Sequence, residues 1–428
     1  MVNTLPVNRT ETTIPRLRWQ LPLVLLVSVL VAYFDRMNIS YALPKIAQDY
    51  GWTVAEIGKY GGFLMSIFYI GYGLANILLS PIGEKFGPRN SLVVVVILFS
   101  IFTVLGAPFG LMFTALIIVR ICLGISEGIH FPMMNTLTKR WFPLHERSRA
   151  NGIWICGLFL SMILAPFIVV PIVEYWGWRA MFIVLGLAGM LITVPLIYLF
   201  VYNSPEEHPK IKTEEQHYIE EGLEKDEPQE EAFWKSVKSF SGKKEYWIAL
   251  LGGVFNNMVA FGLLNWLPTY FTEGRGLPFA ELTYATSIPY LFSVAGVLLW
   301  SILGDKTNRR AMVAGFGFFA AGIGAYFAAT APTINMVVAL FALTIFLKVT
   351  YAANEFAIIQ RIVPRNRVAT GIGFYNGVAM LVGGGLGPVV VGSVVSATGN
   401  YTMGILSLTV LSFIGGIIMF ILGWIIKY

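Results

Sequence analysis

The sequence predicts an all-α membrane protein in which twelve transmembrane helices form two pseudo-symmetric six-helix bundles. Three observations lead to this fold class. Of the 428 residues, 56% are apolar and only 13% are charged, which leaves too little polar surface for several water-facing domains. Twelve segments are apolar and long enough to cross a bilayer. One long hydrophilic stretch divides these segments six and six.

Each predicted span is an apolar run of roughly 20 residues, the length that a helix needs to cross a hydrocarbon core of about 30 Å. In chain order the segments are 20–43, 60–81, 90–108, 110–138, 151–173, 180–202, 246–271, 283–304, 311–330, 334–360, 369–396 and 401–426.

The hydrophilic stretch lies between the sixth and seventh segments and holds 12 of the 24 acidic residues but 7 of the 30 basic ones. We therefore expect an N-terminal bundle at residues 1–202, a cytoplasmic linker at 203–245 and a C-terminal bundle at 246–428. The charge pattern of the linker favours short amphipathic helices on the membrane surface, although a merely solvated linker fits it equally well.

The placement of basic residues predicts the orientation of the chain. If the N-terminus is cytoplasmic, the cytoplasmic segments hold 23 of the 30 Lys and Arg residues and the opposite loops hold 4. This asymmetry follows the positive-inside rule. We therefore expect a multi-pass protein of the cell membrane with both termini in the cytoplasm, and the net charge of +6 requires no nucleic-acid partner.

A charged turn occurs twice, at the same place in each half. The run SPIGEKFGPR at residues 80–89 follows the second segment, and SILGDKTNRR at residues 301–310 follows the eighth. In both copies an acidic-basic pair begins four residues after a serine. One charged turn is common in membrane proteins, but two copies at matching places indicate an internal duplication.

The first copy resembles the loop motif Gly-x-x-x-Asp/Glu-Arg/Lys-x-Gly-x-Arg/Lys of the major facilitator superfamily. Ser80 replaces its first glycine, and Ser301 and Asn308 depart from it in the second copy. The resemblance implies two bundles that rock about a central site, which gives alternating access. It also implies that this loop is a conformational latch. The latch residues would be Glu84, Lys85, Arg89, Asp305 and Arg310.

Six ionisable residues besides His130 lie within the predicted spans. A charge at the bilayer centre costs at least about 2.5–3.5 kcal/mol, so these side chains should face one another or an aqueous cavity. Two pairs, one in the fourth and one in the tenth segment, share a spacing of seven residues that places each pair on one helix face. The second-half pair could brace its bundle or take part in transport. The six residues are Asp35, Arg36, Arg120, Glu127, Lys348 and Glu355.

Asp35 and Glu127 are the candidate proton carriers. Burial favours the neutral form of a carboxyl group, whereas a neighbouring arginine favours its charged form. A helix movement that changes the distance to an arginine would therefore load or release a proton. The alternative is a permanently ionised structural pair with Arg36 or Arg120.

Two runs narrow the family further. The run YFDRMNIS at residues 33–40 and the run RICLGISEGIHFP at residues 120–132 resemble the anion:cation symporter branch, which includes bacterial sugar-acid transporters. The resemblance implies that Arg36 binds the substrate carboxylate, that Asp35 and Glu127 take up protons, and that Arg120 partners Glu127.

The resemblance also implies contacts to the rest of the substrate. Tyr72 and Asn376 match substrate-contacting residues of the sugar-acid members, and Tyr33 could supply a further hydroxyl group. Leu158 stands where those members have a glutamine that contacts sugar hydroxyls, so a less hydroxylated acid fits as well.

The sequence thus predicts proton-coupled uptake of a small organic anion, either a sugar acid such as an aldonate or hexuronate or a related carboxylate. We expect the anion, protons and the lipid bilayer as partners, a monomer, and no cofactor or metal. Proton-coupled efflux of a drug or metabolite is the alternative, although Arg36 and Arg120 argue against lipophilic cations as substrates. A receptor or a membrane-bound enzyme is a further alternative, but the sequence shows no nucleophile triad, metal cluster or nucleotide motif.

Overall fold

A computed structural model describes residues 15–223, 233–364 and 367–426 of the chain. Residues 1–14 and 427–428 of the predicted bundles and residues 224–232 of the predicted linker lie outside the described residues.

Eleven described helical stretches are long and apolar enough to cross a membrane. One of them, Leu144–Phe200, has 57 residues and contains the fifth and sixth predicted spans. A helix of that length would extend about 85 Å, more than twice the bilayer core. Gly177 breaks it with φ 82° and ψ 163°, so the stretch makes two crossings. The prediction of twelve transmembrane helices is thereby confirmed.

The spans, numbered first to twelfth from here on, have the following bounds: Gln20–Tyr50, Val54–Phe86, Pro88–Phe109, Phe113–Trp141, the two parts of Leu144–Phe200, Lys244–Gly274, Phe279–Thr307, Arg310–Thr330, Ile334–Ile362, Thr370–Thr398 and Tyr401–Ile425.

Several helices are longer than the apolar segments that predict them. The first span continues through residues 45–50, which include Lys45, Gln48 and Asp49, and ends at Gly51, whose φ of 65° is a left-handed conformation that glycine adopts without strain. The hydrophobic run marks only the part in the hydrocarbon core, whereas the helix continues until a capping residue ends it.

We call the end of the molecule where the linker lies the linker face and the other end the far face.

Breaks interrupt the fourth and tenth spans at corresponding places. The fourth consists of the helices Phe113–Glu127 and His130–Trp141, and the tenth of Ile334–Lys348 and Thr350–Ile362. Both breaks follow directly after one of the charged residues within the membrane. The breaks correspond, but the two charge pairs do not: the break follows the second charged residue of the fourth span, Glu127, and the first charged residue of the tenth, Lys348.

The first linker helix, Thr213–Gly222, is held against the N-terminal half by buried charges. Glu215, which is fully buried, accepts hydrogen bonds from the backbone N–H groups of Leu17 and Arg18 at 3.1 and 3.0 Å. The Arg18 guanidinium bonds to Glu215 at 3.0 Å and to Glu146 at 2.8 Å, and it lies 4.8 Å from the centre of the Tyr218 ring. We call Arg18, Glu146, Glu215 and Tyr218 the linker clamp.

The two repeated turns share a positive φ but differ in ψ. Gly87 has φ 96° and ψ 128°, and Asn308 has φ 53° and ψ 17°. Asn308 is thus in the left-handed helical region, which asparagine adopts more readily than most non-glycine residues.

Each latch arginine has a partner in its own half. Arg89 donates to the carbonyl oxygen of Tyr198 at 2.7 Å and lies over the ring of Tyr202, while Arg310 pairs with Asp305. Glu84 and Lys85 are exposed. Their role as a latch stays a prediction.

The halves meet closely toward the far face. A Cβ atom added at Gly392 of the eleventh span would lie 2.2 Å from the carbonyl oxygen of Gly58 in the second span. Ser40 donates to Asn265 at 2.9 Å, so a polar contact joins the first and seventh spans on the same side. These contacts close the far side of the molecule.

Candidate substrate and proton site

Four charged side chains converge inside the N-terminal half. The first span contributes Asp35 and Arg36, and the helix Phe113–Glu127 contributes Arg120 and Glu127. Their exposed fractions are 0, 2, 1 and 0%, so all four are buried in protein rather than turned toward lipid. The structure therefore brings together the four residues that the sequence singles out in the first half.

Arg36 lies at the centre of this cluster. Its Nη2 donates to Oε2 of Glu127 at 3.0 Å, and its guanidinium carbon lies 4.4 and 4.6 Å from the ring centres of Tyr33 and Tyr72. The Nε and Nη1 donors are buried and have no acceptor among the described residues. Arg36 thus retains unused N–H donors for a carboxylate.

Arg120 takes a different position from the predicted one beside Glu127. Its Nη1 donates to Oδ1 of Asn38 at 3.4 Å, and Phe68 lies against both arginines at 5.0 and 5.3 Å from their guanidinium carbons. The hydrogen-bonded partner of Glu127 is Arg36 of the first span. The seven-residue spacing separates Arg120 from Glu127 by about 10 Å along the helix axis, which side chains do not bridge easily.

Asp35 lies next to these groups without a donor of its own. Both carboxyl oxygens are buried and have no hydrogen-bond partner in the described part of the chain. The charges of Glu127 and Arg120 and the hydroxyl group of Thr103 act on it. A buried carboxyl group without a donor is stable only when it is protonated or when a nearby cation balances its charge. This property suits a proton carrier.

The second half contains a separate polar network. The Tyr375 hydroxyl donates to Oε1 of Glu355 at 2.8 Å and lies 2.7 Å from the hydroxyl oxygen of Tyr351. Lys348 and Glu355 are both half-buried, and the charge of Glu355 acts on Lys348 without a direct ion pair between them.

Asn376 is half-buried and follows Tyr375 in the eleventh span. Its neighbour Gly377 packs against Ile77 of the second span, with 2.7 Å between the side chain of Ile77 and a Cβ atom placed on the glycine. No contact of the Asn376 side chain with Arg36 is present among the described residues. Its role in substrate binding stays a prediction.

Tyr69 and Asn265 are site residues that the motifs do not single out. The Asn265 amide donates to the Tyr69 hydroxyl at 3.1 Å and thereby connects the seventh span to the second. Tyr69 lies about one helical turn before Tyr72 and therefore on nearly the same face of the second span. This position was the feature of the sequence that could have identified Tyr69 as a neighbour of the site.

A cleft of about 480 Å³ opens between the halves toward the far face. Lys45 and Glu273, from the first and seventh spans, are among the residues that line it. Lys45 is nine residues beyond Arg36, or roughly 13 Å along the helix. The cleft therefore lies on the far-face side of the charged cluster and does not include it.

Comparison with known proteins agrees with this architecture. A probable sulfoacetate transporter of Cupriavidus necator is 29% identical over 385 residues, covering 87% of this chain and 86% of that protein. A probable L-galactonate transporter of Escherichia coli is 25% identical, with 92% and 87% covered.

Solved structures show the same fold. A bacterial homologue of the human lysosomal transporter Spinster, solved in an inward-facing conformation, has a TM-score of 0.79 at 18% identity and covers 95% of this chain and 97% of that one. A D-xylose-proton symporter has a TM-score of 0.73 at 17% identity, with 94% and 96% covered. The family model described as Major Facilitator Superfamily matches residues 25–296 and 276–427, and the chain belongs to this family.

Proposed function

We propose that the protein is a secondary transporter that takes up a small organic anion, such as an aldonate, a hexuronate or a related carboxylate, together with protons. The relatives named for sulfoacetate and L-galactonate support an anionic substrate. The observation that carries the proposal is the buried Arg36, which is paired with a titratable carboxylate on one side and has unused donors on the other.

Glu127 and a substrate carboxylate would compete for Arg36. While Glu127 is ionised, the ion pair between the two side chains satisfies part of the guanidinium. Protonation of Glu127 neutralises that partner and leaves Arg36, which stays charged, to bind the substrate carboxylate with two parallel hydrogen bonds. Proton uptake and anion binding would therefore favour each other, because each supplies the charge that the other leaves unbalanced.

The aromatic rings would set the orientation of the guanidinium. Tyr33 and Tyr72 lie over Arg36 at cation–π distances, which stabilise a cation and restrict its rotation. Together with Asn376, they would contact the remainder of the substrate. Asp35 would carry a second proton, balanced by Arg120 when it is ionised.

The proposed cycle exchanges access between the two faces of the membrane. If both termini lie in the cytoplasm, the closed far face is the outer one. Binding of anion and protons from outside would then require the contacts between the second and eleventh spans to separate, and release would require them to re-form.

Uptake into proteoliposomes tests the proposal. Candidate carboxylates, sugar acids and sulfonates are supplied outside vesicles at acidic external pH and neutral internal pH. We expect at least one acid to accumulate, and a protonophore to abolish its accumulation. The proposal is wrong if no acid accumulates in response to an inward proton gradient.

A further inference from the structure

Lys348 is a cation within the membrane that lacks a direct partner. It ends the helix Ile334–Lys348 in the middle of the tenth span, and its side chain is half-buried. Its ammonium group forms no hydrogen bond and no ion pair within 4.0 Å with a described residue. A lysine at this depth is costly unless it meets an anion or water, and such residues typically mark a solute pathway.

The packing of the tenth span limits the direction in which Lys348 can point. Val349 packs against Gly296 of the eighth span, and Thr350 packs against Gly317 of the ninth. Glu355 lies seven residues further on, across the break that follows Lys348, and its charge acts on Lys348.

The partner of Glu355 shows what this residue meets. The Glu355 carboxylate accepts a hydrogen bond from Tyr375, which belongs to the eleventh span. The eleventh span in turn packs against the second span of the other half, where Gly384 contacts the ring of Tyr69. Glu355 therefore faces the eleventh span near the boundary between the two halves, and Lys348 is close enough to Glu355 for the two charges to interact.

Arg36 lies on the other side of this boundary. The eleventh span packs against the second, where Gly384 contacts the ring of Tyr69. The charge of Arg36 acts on Tyr69, so this arginine lies near the contact from the side of the N-terminal half.

The charges of the site indicate which anion would balance them. If both proposed proton carriers are neutral, three cations and one anion remain, which leaves two positive charges. A monoanion would leave one of them unbalanced, whereas a dianion would balance both. The remaining charged residues are Arg36, Arg120, Lys348 and Glu355.

From this geometry we infer that Lys348 binds a second acidic group of the substrate, so that the protein prefers dianions, namely dicarboxylates and sulfo-carboxylates, to monoanions of the same length. Arg36 holds one acidic end and Lys348 the other. This inference rests on the proposed function, because it names the class of anion that the same site takes.

Matched pairs of acids test the inference on the purified full-length protein. Calorimetry compares galactarate with galactonate, succinate with butanoate, and sulfoacetate with propanoate. We expect the diacid of the best-bound pair to bind at least about tenfold more tightly than its monoacid. Lys348→Gln should remove this preference by weakening the diacid alone, and Lys348→Arg should retain it. Lys244→Gln, at an exposed lysine of the same half, should change neither affinity.

The outcomes separate this inference from the proposed function. Equal affinities of the wild-type protein for both members of each pair that binds would overturn the dianion preference and leave organic-anion transport intact. A preference that survives in Lys348→Gln would remove Lys348 from the site. If no acid of either kind binds, the proposed function fails and the inference fails with it. The wild-type ratio tests the dianion preference even if Lys348→Gln does not fold, and the ratio in Lys348→Arg then tests the cation at this position.

Discussion

The ion pair between Arg36 and Glu127 has a better explanation in binding than in stability. Replacing a buried ion pair by apolar residues of similar volume is often neutral or stabilising, because removing two charges from water is costly. Here the arginine also retains buried donors without an acceptor, which adds to that cost. The proposed exchange of Glu127 for a substrate carboxylate as the partner of Arg36 would account for both features.

Substitution of Arg36 should affect binding in a graded manner. Arg36→Ala should abolish acid binding, and Arg36→Lys should weaken it by roughly 10- to 100-fold, because lysine keeps the charge but lacks the planar pair of donors. Thermal shift and calorimetry measure both. Arg16→Ala, at an exposed arginine, is the control. Unchanged affinity in Arg36→Lys would show that the fork geometry is not used.

Glu127→Gln should separate exchange from accumulation. The glutamine carbonyl oxygen can still accept a hydrogen bond from Arg36, but the side chain can neither take up nor release a proton. We expect counterflow exchange to persist and gradient-driven accumulation to be lost in the same vesicles. Glu214→Gln, at an exposed glutamate, should retain both activities. Accumulation by the Glu127 variant would remove this residue from the coupling role.

The sequence predicts which charged residues form the cluster in the first half but not how they pair. Spacing along one helix places Arg120 and Glu127 on one face, and this much can be read from residue numbers. The contact of Arg36 with Glu127 depends on the rotation of the first span relative to the fourth. That rotation is set by packing of apolar residues on both helices, which a single sequence does not display.

At the scale of elements, the linker clamp makes the first linker helix a part of the N-terminal half. Its central arginine bonds to two carboxylates and lies beside an aromatic ring, and Glu215 also caps the backbone at the start of the first span. The charge pattern favours short helices in the linker, but a merely solvated linker fits it equally well. The docking of the first linker helix could not be predicted, because the partners are separated by 197 residues in the chain.

Glu215→Ala should destabilise this docking. It removes a charged acceptor from two backbone N–H groups and from Arg18, and hydrogen bonds to charged groups contribute about 1.5–3 kcal/mol each. We expect a lower melting temperature and faster proteolysis within the linker. Glu214→Ala, next to it on the exposed side, should change neither. Equal proteolysis rates in both variants would contradict the clamp.

At the scale of the whole molecule, the fold class was predictable because hydrophobic length and duplicated turns are properties of the chain itself. The closed far side was not, since it depends on how the halves meet. The glycine run at residues 383–387 indicates close helix packing, but only the structure shows Gly383 against Val254 of the seventh span and Gly384 against Tyr69 of the second.

Gly392→Val should hold the molecule open on the far side. The valine Cβ would meet the carbonyl oxygen of Gly58 at 2.2 Å, so the second and eleventh spans could not approach as they do here. We expect acid binding to persist and net transport to stop. Ser393→Val, at the exposed neighbouring position, should be fully active.

Thiol labelling measures the opening directly. In a background without Cys122 and Cys156, Ser40→Cys places a thiol at the closed boundary between the first and seventh spans. A membrane-impermeant reagent added on the far side should label it about tenfold faster with Gly392→Val. Equal labelling with and without the valine would show that these glycines do not control access.

The separation of the clamp residues along the chain has a consequence for biosynthesis. The ribosome synthesises the first six helices before it reaches Glu215. Until the linker has been synthesised, Glu146 is therefore the one clamp carboxylate with which Arg18 can pair. The acidic linker helix therefore docks on the N-terminal bundle only after the first six helices have been inserted. A gene divided after residue 223 should therefore yield an N-terminal fragment that contains all four residues of the linker clamp and can form it without the second half.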